Sequence, residues 1–84
     1  MMTTVRLTPL EKKDTYFYNF RREYFTVSTP IQLNTTVEYG SHTLQCTGIY
    51  GQSEDIYSFQ LLTNLATDCI SNDIFKYKQF KINY

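Results

Sequence analysis

Residues 31–50 read IQLNTTVEYGSHTLQCTGIY, and in this segment polar side chains alternate with apolar or β-branched ones. A period of two residues is typical of a strand with one buried face. Gly40 and Ser41 interrupt the alternation with a tight turn, after which Leu44, Cys46 and Tyr50 resume it. The segment therefore predicts a β-hairpin with strands at 31–39 and 42–50, in which Tyr50 belongs to the core.

The rest of the chain also favours strands. It holds a single alanine and twelve threonines, a composition that suits pleated sheets better than helices. Thr8 followed by Pro9 and Glu11 matches a helix-start pattern, so a short helical turn is expected there. Around Gln79 the apolar period changes phase, which indicates a bulge in the last strand. The predicted elements are strands at 3–7, 15–20 and 23–29, the helical turn at 9–14, and a final strand after 73.

Residues 54–70 fit two patterns. Tyr57, Phe59 and Leu61 alternate as in a strand, whereas Phe59, Leu62, Ala66 and Cys69 recur at helical spacing. Ser53 as an N-cap, with acids in the first turn, favours the helix. We therefore expect an α+β, β-rich fold: one compact domain over 1–84, with a small antiparallel sheet of five or six strands and one covering helix at about 54–70.

Length and composition limit the class of protein. A chain of 84 residues buries roughly 64% of its unfolded surface, enough for one core. No uncharged stretch is apolar enough for a membrane span, so no membrane partner is expected. Without a visible secretion signal, the two cysteines are expected to be free thiols in the cytoplasm. Residues with AT-rich codons outnumber those with GC-rich codons, a bias that is common in phage and mobile-element genes and suggests a host cytoplasm.

The sequence offers little support for catalysis. His42 and Cys46, four residues apart on a strand, would lie about 13 Å from each other, too far to share a metal ion or act as a nucleophilic pair. The glycines at 40, 48 and 51 lack the spacing of a phosphate-binding loop. We therefore predict a non-enzymatic protein with no cofactor and no metal.

Charge is unevenly distributed although the net charge is zero. Residues 1–23 carry five basic and three acidic groups, residues 24–73 carry five acids and no Lys or Arg, and residues 74–84 carry three lysines. If the two terminal segments lie side by side, they form a positive face, and the middle of the chain forms a negative one.

Eight Tyr and six Phe are more large rings than a core of this size readily buries, so some tyrosines are expected at the surface. Exposed Tyr is typical of protein interfaces. The leading functional prediction is a small module that binds a basic surface of another protein, acting as an inhibitor or modulator of a host protein. Its predicted contact residues flank two turns: Glu38, Tyr39, Glu54, Asp55 and Tyr57.

Two alternatives remain open. Aromatic residues interleaved with cations are typical of sheets that stack bases and follow a phosphate backbone. A small nucleic-acid-binding β-barrel would use Arg21, Arg22, Lys76, Tyr77 and Lys78. A structural or self-assembling virion component is the third possibility, in which exposed rings pack against copies of the chain.

Overall fold

The computed structural model describes residues 3–18, 21–62, 69–77 and 79–83. These residues form nine strands and one short helix. In chain order the elements are β1 (Thr4–Val5), β2 (Leu7–Pro9), β3 (Thr15–Tyr16), β4 (Glu23–Val27), β5 (Thr36–Tyr39), β6 (His42–Tyr50), β7 (Ile56–Leu61), β8 (Ile70–Ser71), α1 (Asp73–Tyr77) and β9 (Phe80–Asn83).

Seven strands form one antiparallel sheet in the order β1-β9-β5-β6-β7-β4-β2, and β3 pairs with β8 in a second sheet. The two edge strands, β1 and β2, are separated in the chain by Arg6 alone, so the sheet nearly closes on itself. Arg6 fixes this junction, because its N–H donates to Ser28 Oγ at 2.9 Å while its carbonyl accepts from the Ser28 N–H at 3.1 Å. The fold is therefore β-rich as expected, but its sheet exceeds the five or six strands predicted.

The core fills the inside of this curved sheet. Phe25 on β4 lies at its centre and contacts four other rings, with centroid separations between 5.0 and 6.1 Å. Alternating residues of the long strands supply most of the remaining apolar contacts, as a period of two requires. The fully buried apolar side chains include Val5, Leu7, Tyr16, Phe17, Phe25, Val37, Leu44, Cys46, Phe59, Ile70 and Phe80.

A β-bulge divides β6 into two parts. Cys46 lies opposite Phe59 and Gly48 lies opposite Ser58, so Thr47 is the extra residue. One inserted residue exchanges the two faces of the strand beyond it. Cys46 is fully buried before the bulge, whereas Tyr50 beyond it is 43% exposed. The prediction that Tyr50 belongs to the core is therefore wrong.

The chain between β2 and β4 departs from the predicted helical turn at 9–14 and strand at 15–20. Pro9 ends β2, β3 covers only Thr15–Tyr16, and residues 19–20 lie outside the described part. Phe17 has φ of 70°, a costly conformation for a bulky residue. Its N–H donates to the buried Glu23 carboxylate at 3.1 Å, and its ring stacks on Phe25 at 5.8 Å. These contacts offset the backbone strain.

The helix predicted at 54–70 is wrong for the described residues of that range. Ile56–Leu61 is β7, which pairs with β6 on one side and β4 on the other. Pairing on both sides, with Tyr57, Phe59 and Leu61 turned inward, outweighs the capping signal at Ser53. Residues 63–68 lie outside the described part of the chain.

The helix that does occur is α1 at Asp73–Tyr77, where a strand is predicted. The change of apolar phase near Gln79 therefore marks the end of a helix and the beginning of β9 instead of a bulge. The predicted hairpin at 31–50 is present, although β5 begins only at Thr36.

Candidate functional site

The five residues predicted for protein binding do not come together. Glu38 and Tyr39 precede the turn at one end of β6, whereas Glu54 and Asp55 lie in the turn at its other end. The nine residues of β6 separate the two turns by roughly 26 Å at about 3.3 Å per residue. Tyr57 is only 4% exposed and packs inside the sheet. Glu54 and Asp55 are thus the two members that share an exposed turn.

Two tyrosines that sequence analysis did not select form the most exposed ring pair on the sheet. Tyr24 on β4 and Tyr50 on β6 are 44% and 43% exposed, and their rings meet edge to face at 5.8 Å. Ser58 on β7 pairs with Tyr24 on β4 and with Gly48 on β6, so these three residues lie in one row across the outer face of the sheet. Ser58 itself is fully buried, and its hydroxyl lies 2.8 Å from Thr47 Oγ1.

Gly48 makes this ring arrangement possible. A Cβ atom at Gly48 would lie 2.6 Å from Cζ of Tyr50, closer than side-chain carbons approach one another. The absent side chain lets the Tyr50 ring lie back along β6 toward Tyr24. A glycine inside a strand often marks a bulge or a position where another group approaches the backbone closely. Gly48 is therefore the sequence signal from which the Tyr24–Tyr50 pair could have been predicted.

An acidic turn follows Tyr50 directly in the chain. The Glu54 N–H donates to the Gly51 carbonyl at 3.1 Å, and Glu54 adopts φ of 53°. A carboxylate oxygen of Asp55 approaches Gly51 so closely that a Cβ there would be 2.8 Å away. β7 then begins at Ile56, directly opposite Tyr50, so the two acids lie on the turn that joins the Tyr50 strand to β7. We call Tyr24, Tyr50, Glu54 and Asp55 the acidic tyrosine surface.

The two basic ends of the chain meet elsewhere. β1 pairs with β9, and the Arg6 guanidinium Nη2 donates to the Lys76 carbonyl at 2.7 Å. Between β2, the following segment and α1 lies an open cavity of about 530 Å³, which we call the basic cleft. It is lined by Arg6, Thr8, Pro9, Lys12, Tyr16, Asn72, Phe75 and Lys76.

The residues predicted for nucleic-acid binding are only partly in this cleft. Lys76 lines it, whereas Arg21 and Arg22 are exposed before β4 and do not. Tyr77 is the last residue of α1, and Lys78 lies outside the described part of the chain. Arg6 and Lys12 line the cleft but are not among the residues selected from the sequence, because nothing local indicates that they approach α1.

Both cysteines are free thiols. Burial raises the pKa of the Cys46 thiol, and hydrogen bonding with the Gly48 backbone lowers it by a smaller amount. Within residues 3–18, 21–62, 69–77 and 79–83, no group of three or more His, Cys, Asp or Glu side chains is arranged to hold a metal ion. The same residues contain no helix with the length and apolarity of a membrane span.

Comparison with known proteins assigns no family to the chain. No family model, no curated protein and no solved structure matches it. The acidic tyrosine surface and the basic cleft are therefore the two features on which a functional argument rests.

Proposed function

We propose that this protein is a non-enzymatic binding module that occupies a basic surface of another protein through the acidic tyrosine surface. The observation that carries the proposal is the Tyr24–Tyr50 pair, two large rings about half exposed and in mutual contact on the outer face of the sheet. The proposal keeps the type of surface expected from the sequence and changes its residues. Glu54 and Asp55 stay, and Tyr24 and Tyr50 replace Glu38, Tyr39 and Tyr57.

The ring pair supplies the apolar part of such an interface. Tyrosine loses little conformational entropy on binding and gives a large contact area, which is why it is enriched among residues that dominate binding energy. Tyr24 and Tyr50 are already held against each other, so even less freedom remains to be lost. The buried Ser58 and the Thr47 bulge fix the strands beneath them.

The two carboxylates supply the charge. Glu54 and Asp55 are exposed on a turn, and the central part of the chain from 24 to 73 has no Lys or Arg. A partner surface that carries lysine or arginine gains cation–π contacts at the rings and ion pairs at the turn. A basic functional surface on the partner is thus the complement of this face.

Inhibition or modulation of the partner then follows from occupancy alone. A module without catalytic machinery acts by covering the surface that the partner uses for something else. The AT-rich coding composition supports a phage or mobile element as the source, and a host protein as the partner.

The experiment begins with capture of partners from bacterial lysate by the immobilised protein and continues with purified candidates. The affinity of each candidate is compared between the wild type, Tyr50→Ala and the double variant Glu54→Lys/Asp55→Lys. We expect each variant to weaken binding at least about tenfold, the size typical of a central aromatic or a desolvated charge pair. Glu38→Lys is the matched control, because it reverses an acid at the opposite end of β6.

Unchanged affinity in both variants, or an equal loss in the Glu38→Lys control, would refute the acidic tyrosine surface. Sedimentation of the isolated protein tests the self-assembly alternative. A concentration-dependent mass that Tyr50→Ala abolishes would show that the rings serve contacts between copies of this chain.

A further inference from the structure

We infer that the basic cleft is a binding site for an organic phosphate, either a free nucleotide or a phosphodiester unit of a single nucleic-acid strand. This site is separate from the acidic tyrosine surface, with which it shares no residue. Three observations carry the inference: the charge of the lining, the fixed position of Arg6, and the size of the cavity with the apolar residues in its lining.

The lining is cationic. Arg6, Lys12 and Lys76 contribute three positive charges, and no Asp or Glu is among the described residues that line the cleft. The ion pair found among the described residues joins Lys13 to Glu23 at 2.7 Å, so none of the three cations of the cleft forms an ion pair with a described carboxylate. Three like charges around one cavity repel one another unless an anion enters, and a phosphate group removes that repulsion.

Arg6 is positioned before any ligand binds. Its Nη2 donates to the Lys76 carbonyl at 2.7 Å, and its backbone is bonded in both directions to Ser28. A guanidinium carries five N–H donors in a rigid fork that matches phosphate oxygens. The hydrogen bond to α1 uses one of them and orients the others, whereas Lys12 and Lys76 are flexible point charges at the rim.

The size of the cleft indicates an organic ligand. A volume of about 530 Å³ lies in the range of cavities that hold small organic molecules and greatly exceeds the volume of a phosphate ion. Pro9 and Phe75 supply an apolar part of the lining, on which a ribose or base can pack. The Tyr16 ring packs edge to face on Phe75 at 5.0 Å, and its hydroxyl is held by the Lys13 N–H at 2.9 Å and by Asn72 Oδ1 at 3.0 Å.

Three probes test the inference: a fluorescein-labelled oligothymidylate, thymidine monophosphate and inorganic phosphate. Binding of the strand is followed by anisotropy across a salt series, and binding of the two small probes by amide shifts of the full-length protein. Three phosphate contacts predict a log–log salt slope of about −2 for the strand, at about 0.7 per contact. The double variant Lys12→Gln/Lys76→Gln should reduce the slope to about −0.7 and the affinity at least about tenfold.

Lys81→Gln is the matched control, because Lys81 is an exposed lysine on β9 that does not line the cleft, and Arg22→Gln is a second control. Tighter binding of the strand than of the mononucleotide identifies the strand as the ligand, and equal affinity identifies the free nucleotide. The inference is overturned if neither nucleotide probe binds, if inorganic phosphate binds as well as they do, or if Lys81→Gln weakens binding as much as the double variant.

Discussion

The two parts of β6 follow the same alternating sequence pattern and place it on opposite faces. In His42–Cys46 the residues at even positions, Leu44 and Cys46, point into the core and are fully buried. In Gly48–Tyr50 it is Ile49 that points inward, opposite Tyr57, while Tyr50 lies outside. The inward and outward faces are exchanged because Thr47, the extra residue of the bulge, lies between the two parts.

That comparison shows how a local irregularity generates a surface. Without the bulge, Tyr50 would fill the inside of the sheet and no second ring would meet Tyr24. With it, one side chain moves from the core to the exterior, next to the exposed acids of the following turn. The candidate interface is therefore a consequence of one inserted residue in a strand that is otherwise regular.

The largest expected effect distinguishes the buried from the exposed tyrosine. Tyr57→Ala should lower the free energy of unfolding by about 3–5 kcal/mol, because it removes a large ring from the core. Tyr50→Ala should lower it by only about 1 kcal/mol, the value of an exposed edge-to-face contact. Urea denaturation of both variants measures the difference. Equal losses, or a larger loss for Tyr50→Ala, would contradict the position of the bulge.

A smaller effect tests the contact between Gly48 and Tyr50. Gly48→Ala should cost about 1 kcal/mol in the wild type, because the new methyl group displaces the Tyr50 ring from Tyr24. In the Tyr50→Ala background the same change should be neutral or stabilising by up to about 1 kcal/mol, since alanine restricts the unfolded chain more than glycine does. A double-mutant cycle in urea gives the coupling.

Gly40→Ala provides the reference for that cycle. Gly40 has φ of 58°, and no atom lies within 4 Å of the place that a Cβ would take, so its substitution should cost about the same in both backgrounds. If the coupling energy between Gly40→Ala and Tyr50→Ala equals that between Gly48→Ala and Tyr50→Ala, the cycle measures a general change in the sheet and not the contact between Gly48 and Tyr50.

The pH-dependent effect concerns Cys46, which marks the inward face just before the bulge. Because burial raises the pKa of its thiol, the folded protein keeps the proton at pH values where the unfolded chain has lost it. Stability is therefore retained below the ordinary thiol pKa of about 8.5 and falls as the pH rises above it, by at most about 1.4 kcal/mol per pH unit.

Cys46→Ala should make this alkaline loss of stability less steep, and Cys69→Ala, a change at a half-buried thiol, is the control. Urea midpoints from neutral pH to about pH 10 provide the measurement. An identical slope in the wild type and in Cys46→Ala would show that Cys46 contributes nothing to it.

The hairpin around Gly40 is predictable because its information is local. The alternation up to Tyr39, the turn at Gly40–Ser41 and the strand 42–50 are all present, since strand pairing across a tight turn depends on neighbours in the chain. The same local rules fail at 54–61, where the helical spacing and the Ser53 cap compete with strand pairing to β4. That pairing joins Phe59 to Glu23, which are distant in sequence, so no local pattern reveals it.

The candidate sites are less predictable for the same reason. Glu54 and Asp55 are recognisable from their turn, but the exposure of Tyr50 depends on a bulge that shifts the period by one residue. The sequence predicts a positive face only if the two basic ends of the chain lie side by side. The β1–β9 pairing brings these two ends together. Which cations share a cleft depends on where α1 packs, and the sequence around Asp73 indicates a strand.

The junction at Arg6 also has a kinetic consequence. Thr4 pairs with Lys81, so the sheet closes through a contact between residues that are almost the whole chain apart. Closing so long a loop costs entropy before it yields any stabilising contact, and folds rich in such pairings cross their barrier slowly. The β5–β6–β7 meander, whose turns are short, is thus the natural nucleus. During synthesis β1 stays unpaired until β9 has left the ribosome, whereas β2 can pair with β4 much earlier, and an unpaired strand of this kind exposes the nascent chain to aggregation.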